Sequence, residues 1–320
     1  MAWPRFDRSK LEVKPLTERE HDMSLADLLP LDYMPEWQPS EALLATAEAC
    51  IKARKAGRPV ILMMGAHVIK QGLSRFVVDL IQRGLVTHIG MNGACAIHDS
   101  ELAMIGATTE SVAKYIAEGQ FGLWQETGIV NEGAQRAAER DLGLGEALGG
   151  LLIERDFPHL DISLLANAAR YDVPITVHVG IGQDIVHELP NADGTAIGQS
   201  SYNDFLVFAQ ALTGLEGGVF LNYGTAVMGP EVYLKALSMA RNVARQQGET
   251  INDFTTAVFD LKPLPVNYHE TPPKSEPGYY YRFWKSVLVR TVAEGGHSYY
   301  VQADHRDSLP WLHKLMVEGV

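Results

Sequence analysis

A chain of 320 residues, 46% of them hydrophobic, can bury a large core, either as one big α/β domain or as two. Its 27 basic against 39 acidic residues give a net charge of −12, which argues against general binding to nucleic acid or an anionic membrane and suits a cationic ligand. Cys50 and Cys95 form neither a disulfide framework nor a metal motif, no apolar stretch nears the ~18 residues that span a bilayer, and Met1–Arg8 lacks a signal-peptide core, so a cytoplasmic protein is expected.

Residues 1–38 read as a polar leader with four prolines, ahead of a single α/β domain over 39–320. Glu41–Ala56 has helical character and stops at Gly57-Arg58-Pro59. The apolar run 59–64 (PVILMM) predicts a strand covered on both faces. Ile69, Leu73, Phe76, Val77, Leu80 and Ile81 recur at helical spacing, and Thr87–Met91 predicts a second strand. This is a βαβ unit. Helices are expected over Thr109–Ala117 and Trp124–Arg140, then a glycine-punctuated turn at Gly143–Gly150, and a helix Asp161–Arg170 capped by Asp161. Strand Ile175–Val179, helix Tyr202–Leu212 and strand Val219–Asn222 follow, and Pro230 opens a helix to about Val243. A strand at Thr255–Phe259 precedes an irregular Pro- and Tyr-rich segment, 261–281. Strands near Ser286–Arg290 and Ser298–Gln302 lead to a last helix, Ser308–Val317. The alternation implies a doubly wound, mostly parallel, Rossmann-like sheet with helices on both faces.

In such sheets ligands bind at the carboxyl ends of the strands. Gly65-Ala66-His67 and Asn92-Gly93-Ala94 stand at two of those ends. Gly180-Ile181-Gly182-Gln183-Asp184 follows a third and reads either as a tight turn or as a seat for a carboxylate facing a ligand. Gly224-Thr225-Ala226 follows a fourth, where a helix start would seat a phosphate or simply pack a turn. His98, Asp99 and Glu101 fall near a helix start, where carboxylates also serve as caps. Lys285 ends the aromatic run Tyr279-Tyr280-Tyr281-Arg282-Phe283-Trp284. A lysine desolvated by aromatic rings can form a Schiff base, and the rings can hold a cation; an exposed lysine beside a packed loop is the plainer alternative. A metal-assisted hydrolase using His178, Asp184 and His187, or His98 and Asp99, is a further alternative, although no metal-binding spacing is present and no metal is expected. No GxSxG elbow and no Walker sequence occurs.

The order of segments resembles the deoxyhypusine synthase family. Gly72-Leu73-Ser74-Arg75, Met91-Asn92-Gly93-Ala94 with His98-Asp99, Val173-Pro174-Ile175 through Gly182-Gln183-Asp184, Gly224–Val232, Phe283-Trp284-Lys285 and Val301-Gln302-Ala303-Asp304 follow that family's motifs in sequence, over roughly residues 40–320. The resemblance implies an NAD-dependent homotetramer that moves an aminobutyl group from a polyamine such as spermidine to an amine acceptor, which may be a free amine or a protein lysine. It implies Lys285 as the imine-forming nucleophile, with Asp184 and His98 catalytic. Asp184, Phe283 and Trp284 would hold the substrate. Gly65, Ala66, His67, Asn92, Gly93, Ala94, Asp99, Gly224, Thr225 and Asp304 would contact NAD. The chain departs from the pattern at Pro230, where a histidine is expected, at Tyr279 or its neighbours, where a carboxylate is expected, and at Cys95-Ala96, where the family has glycines. A nucleotide-binding protein of this fold, independent of Lys285, is the other alternative.

Overall fold

The computed structural model describes residues 3–319. Six strands build the sheet: β1 (Val60–Met64), β2 (His88–Asn92), β3 (Ile175–His178), β4 (Val219–Tyr223), β5 (Thr255–Asp260) and β6 (His297–Gln302). All neighbours run parallel, in the order β3-β2-β1-β4-β5-β6. The strand order reverses between β1 and β4, so the carboxyl ends of those two strands splay a crevice at the switch point.

Alternate residues of β1 point to opposite faces. Val60, Leu62 and Met64 join the larger apolar cluster, while Ile61 and Met63 join the smaller one. The first face carries α1 (Glu41–Lys55), α2 (Ser74–Gln82) and α3 (Gly93–Ile105), among others. The second carries α4 (Gly194–Thr213) and α5 (Met228–Gln246). The doubly wound, Rossmann-like α/β architecture expected from the sequence is thereby present. No helix among the described residues is long and apolar enough to cross a membrane.

Several local expectations are corrected. The stretch 69–81 divides at Gly72 into a four-residue helix, His67–Lys70, and α2. Gly143–Gly150 belongs to a helix, Leu144–Glu154, rather than a turn. Its Gly145 packs so closely on β3 that an added Cβ would lie 2.0 Å from the Ile175 carbonyl oxygen. That glycine is there for contact, not for a bend. The cap of helix Leu164–Arg170 is Ser163, not Asp161.

Residues 283–290 form a π-helical segment, Phe283–Arg290, in place of the expected strand. Phe283, Trp284, Val287 and Leu288 are the buried apolar residues, which is helical spacing. Hydroxyls supply bonds that the widened turns need: Thr256 donates to the Val287 carbonyl at 2.9 Å and Thr291 to that of Ser286 at 3.0 Å.

The leader packs on its own domain. Met23–Ser24 pairs antiparallel with Ala107–Thr108, Leu16 is fully buried, and Arg19 enters the interior.

Candidate active site

Two neighbouring regions at the carboxyl edge of the sheet carry the chemistry. The first is the crevice between β1 and β4. Gly65 follows β1 and donates its amide to the Tyr223 carbonyl at 2.9 Å. A Cβ on Gly65 would lie 2.1 Å from the Gly224 carbonyl oxygen, so the two backbones touch. Gly65→Ala should therefore force the strand ends apart and cost about 1–3 kcal/mol or more, as overpacking does; urea unfolding followed by circular dichroism measures it.

Beyond Gly224, the amides of Thr225, Ala226 and Val227 have no backbone acceptor among the described residues, and the 19-residue α5 starts at Met228. Thr225 Oγ1 accepts from the Gly229 amide at 2.9 Å, which shapes this turn. His305, buried, puts Nε2 2.6 Å from where a Cβ of Gly224 would stand, and its Nδ1 is buried without a hydrogen-bond partner. Burial lowers the His305 pKa, with Asp304 opposing the shift. Asp304 accepts from Gln71 Nε2 at 3.3 Å and from the Arg306 amide at 2.8 Å. Ala66 leads into His67–Lys70, where His67 is exposed.

The second region is a cleft of about 240 Å³ on the first face, with Lys70, His98, Glu101, Glu110, Phe121 and Asp184 among its walls. Asn92 Oδ1 caps α3 by accepting from the Cys95 amide at 3.0 Å. Asp184 lies over the start of α3, its Oδ2 2.1 Å from where a Cβ of Gly93 would be. Only glycine leaves room there. Burial raises the Asp184 pKa to about 6. Ala94 lines the same cleft.

His98 and Glu101 sit one turn apart on α3 and share Thr108. The His98 Nδ1 to Thr108 Oγ1 distance is 2.7 Å, and Thr108 donates to Glu101 Oε2 at 2.6 Å. Arg19 holds both carboxylate oxygens of Glu101, at 2.9 and 2.6 Å, and Thr127 donates to Oε1 at 2.7 Å. Burial lowers the His98 pKa to about 4 against the pull of Glu101.

Other expected site residues lie elsewhere. Asp99 faces away from the cleft: its two oxygens accept from Ser163 Oγ and from the Leu164 and Leu165 amides at 2.6–3.0 Å, holding a helix start. Phe283 and Trp284 are 3% and 5% exposed and pack into the second apolar cluster, where Trp284 Nε1 donates to the Tyr268 carbonyl. Lys285 is 4% exposed, with Nζ 3.8 Å from the Tyr279 ring centroid and no salt bridge among the described residues. It lies on the second face, whereas His98 and Asp184 lie on the first, so the three are not brought into one pocket. Glu231, in the first turn of α5, has its carboxyl lowered mainly by Lys235, then by Arg282 and more weakly by Lys285.

No group of three His, Cys, Asp or Glu side chains among the described residues is arranged to hold a metal ion. His178 Nε2 is engaged with Thr176 Oγ1 at 3.1 Å, and His187 Nδ1 accepts from the Gly182 and Asp184 amides. The sequence reading missed Arg19, Lys70, Thr108 and His305. The three-residue spacing of His98 and Glu101 was a readable signal for a shared helix face; Arg19, in a leader without a pattern, gave none.

No family model matches the chain, and no curated protein matches it. Solved structures share its fold. The apo form of ArgZ, an arginine dihydrolase of the ornithine-ammonia cycle in cyanobacteria, matches at TM-score 0.52 and 14% identity, over 88% of this chain and 33% of that one. AgrE, solved with ornithine and NAD+, matches at TM-score 0.52 and 15% identity, over 88% and 34%. A conserved protein assigned to the LOR/SDH group from Methanococcus maripaludis S2 matches at 0.51 and 14%, over 89% and 74%. A protein from Entamoeba histolytica assigned as a deoxyhypusine synthase overlaps at 0.43 and 11%, over 90% and 85%. The chain thus spans about a third of the ArgZ and AgrE chains, and the likeness is one of fold.

Proposed function

We propose that this chain is an NAD-dependent enzyme acting on a small cationic amine, with aminobutyl transfer from a polyamine through a Lys285 imine as its reaction. The acceptor would be a second amine, free or on a protein lysine, and the working form a cytoplasmic homotetramer. The observation that carries the reading is Lys285: a lysine amine enclosed against the Tyr279 ring, outside any salt bridge among the described residues, is the kind of nucleophile that imine formation requires. AgrE, a third of whose chain shares this fold, was solved as a ternary complex with ornithine and NAD+, which supports an amine and a dinucleotide as ligands to test here.

The crevice residues fit a dinucleotide. The side-chain-free contact of Gly65 with Gly224 admits a close backbone approach, and the open amides of Thr225, Ala226 and Val227 at the start of α5 would hold a phosphate. Asn92 stands near where an acidic residue usually meets the ribose, so that contact would be made differently. NAD, when bound, would accept hydride from the donor amine and give it back to the imine formed with the acceptor. Asp184 would pair with the ammonium of the substrate, and His98 would handle its proton. Lys285 would attack the carbon of the substrate imine and release the departing amine, and the acceptor amine would then attack that carbon and release Lys285. The substrate chain would pass over the carboxyl edge of the sheet, from the first-face cleft to the second-face lysine.

The test is NADH formation by purified protein with spermidine or putrescine, following 1,3-diaminopropane from spermidine, with Asp184→Asn in parallel. Turnover should require NAD, and Asp184→Asn should raise the KM for the amine. Below about pH 6 the wild-type KM should rise as the Asp184 carboxylate takes up a proton and loses its attraction for the cation. NAD binding without amine-dependent NADH would leave a nucleotide-binding protein of another kind, and no NAD binding would end the reading.

A further inference from the structure

We infer that His98 is the proton acceptor of the cleft and that Thr108, backed by Glu101 and Arg19, is the residue that positions it. The inference rests on the reading that an amine enters this cleft, but the arrangement of protons follows from geometry alone. Glu101, its oxygens held by the Arg19 fork, can only accept. Thr108 has one hydroxyl proton, and it goes to Glu101 Oε2 at 2.6 Å. The Thr108 hydroxyl oxygen itself lies 2.7 Å from His98 Nδ1, so Nδ1 must carry the proton that this contact needs. Nε2 is then the nitrogen with the free lone pair. It has no hydrogen-bond partner among the described residues and is not among the buried unpaired atoms. It is the atom His98 offers to the cleft it lines, opposite Asp184.

The order of groups, imidazole to hydroxyl to carboxylate to guanidinium, orients the ring and opposes the charge that appears on it. An amine can lose hydride from its carbon only after its nitrogen has given up a proton and regained a lone pair. In the step assigned to His98, the substrate N–H bond breaks and an Nε2–H bond forms. The imidazolium keeps its Nδ1–H on Thr108, and Thr108 keeps its hydroxyl proton on Glu101. The positive charge moves from the substrate to a ring one hydroxyl away from a carboxylate.

Around His98, Glu101 favours the charged ring, whereas Lys70, Arg19 and His67 oppose it; Asp184 and Glu110 stand on the other walls. Burial disfavours the charged form of the ring.

The deciding measurement is the tautomer of His98, read by long-range 15N–1H NMR on protein labelled at histidine and assigned with His98→Gln. At neutral pH the ring should be neutral and protonated at Nδ1. Thr108→Val should shift it toward the Nε2–H form and lower kcat for the amine by about 10²-fold, at the low end for general acid–base catalysis, with KM little changed. Thr108→Ser, which keeps the hydroxyl, should restore both the tautomer and the rate. An Nε2–H ring in the wild type, or a tautomer indifferent to Thr108→Val, overturns the positioning role. A normal kcat in a Thr108→Val protein of altered tautomer overturns His98 as the base. If no amine is turned over by the wild type, the base role falls with the proposed function, while the NMR result still decides what Thr108 does.

Discussion

Lys285→Arg should abolish any borohydride-trapped adduct of the amine substrate while leaving NAD affinity intact. Arginine keeps a long side chain against the Tyr279 ring, now met by Lys285 Nζ at 3.8 Å, so packing is largely retained. It cannot deprotonate in the working range and cannot form the imine. Loss of a covalent nucleophile removes several orders of magnitude in kcat, far more than loss of a binding contact. Mass spectrometry of the reduced protein reads the adduct, and calorimetry reads NAD. Lys70→Arg belongs beside it, because Lys70 shares the cleft with His98 and Asp184 whereas Lys285 does not. An adduct that survives Lys285→Arg but disappears in Lys70→Arg would move the nucleophile to the first face.

That ambiguity marks where the sequence stopped informing. The six strands were legible because each is a short apolar run bounded by turn residues, and buried parallel strands leave that trace. The strand-end positions Gly65, Asn92, Gly93 and Gly224 followed from them. What failed were residues whose role depends on a distant neighbour. Gly145 resembles a turn glycine until β3 is seen lying on it. Val287 and Val289 favour a strand by propensity, yet Thr256 and Thr291 secure the carbonyls of a widened helix at that place. Asp99 beside His98 resembles a pair of site residues, but their side chains leave α3 in different directions. One meets Thr108, and the other meets the start of helix Leu164–Arg170. In the sequence Lys285 precedes an expected strand and Asp184 follows one, and only the fold reveals that they belong to opposite faces.

The largest stability change should come from the leader. Arg19→Met should destabilise the protein by about 3–5 kcal/mol, because it strands the buried Glu101 carboxylate. Both side chains of the pair are only 1% exposed. Burial pushes the Glu101 pKa up, but the bonds from Arg19, Thr108 and Thr127 outweigh it and the net shift is downward. A carboxylate lowered by folding contributes stability above its unfolded pKa and loses it as pH falls through the folded value. In Arg19→Met the main lowering influence is gone while burial persists, so the Glu101 pKa should rise and the penalty should ease as the carboxyl takes up a proton. The deficit relative to wild type should thus be widest at neutral pH and narrow toward pH 4, as urea unfolding at a series of pH values would read. The double variant Arg19→Met/Glu101→Leu should recover much of the loss, since an apolar pair leaves no stranded charge. A single variant as stable as wild type at pH 7 would mean that Glu101 finds another partner or water. The Thr108 contact would then have to hold His98 without the charge behind it.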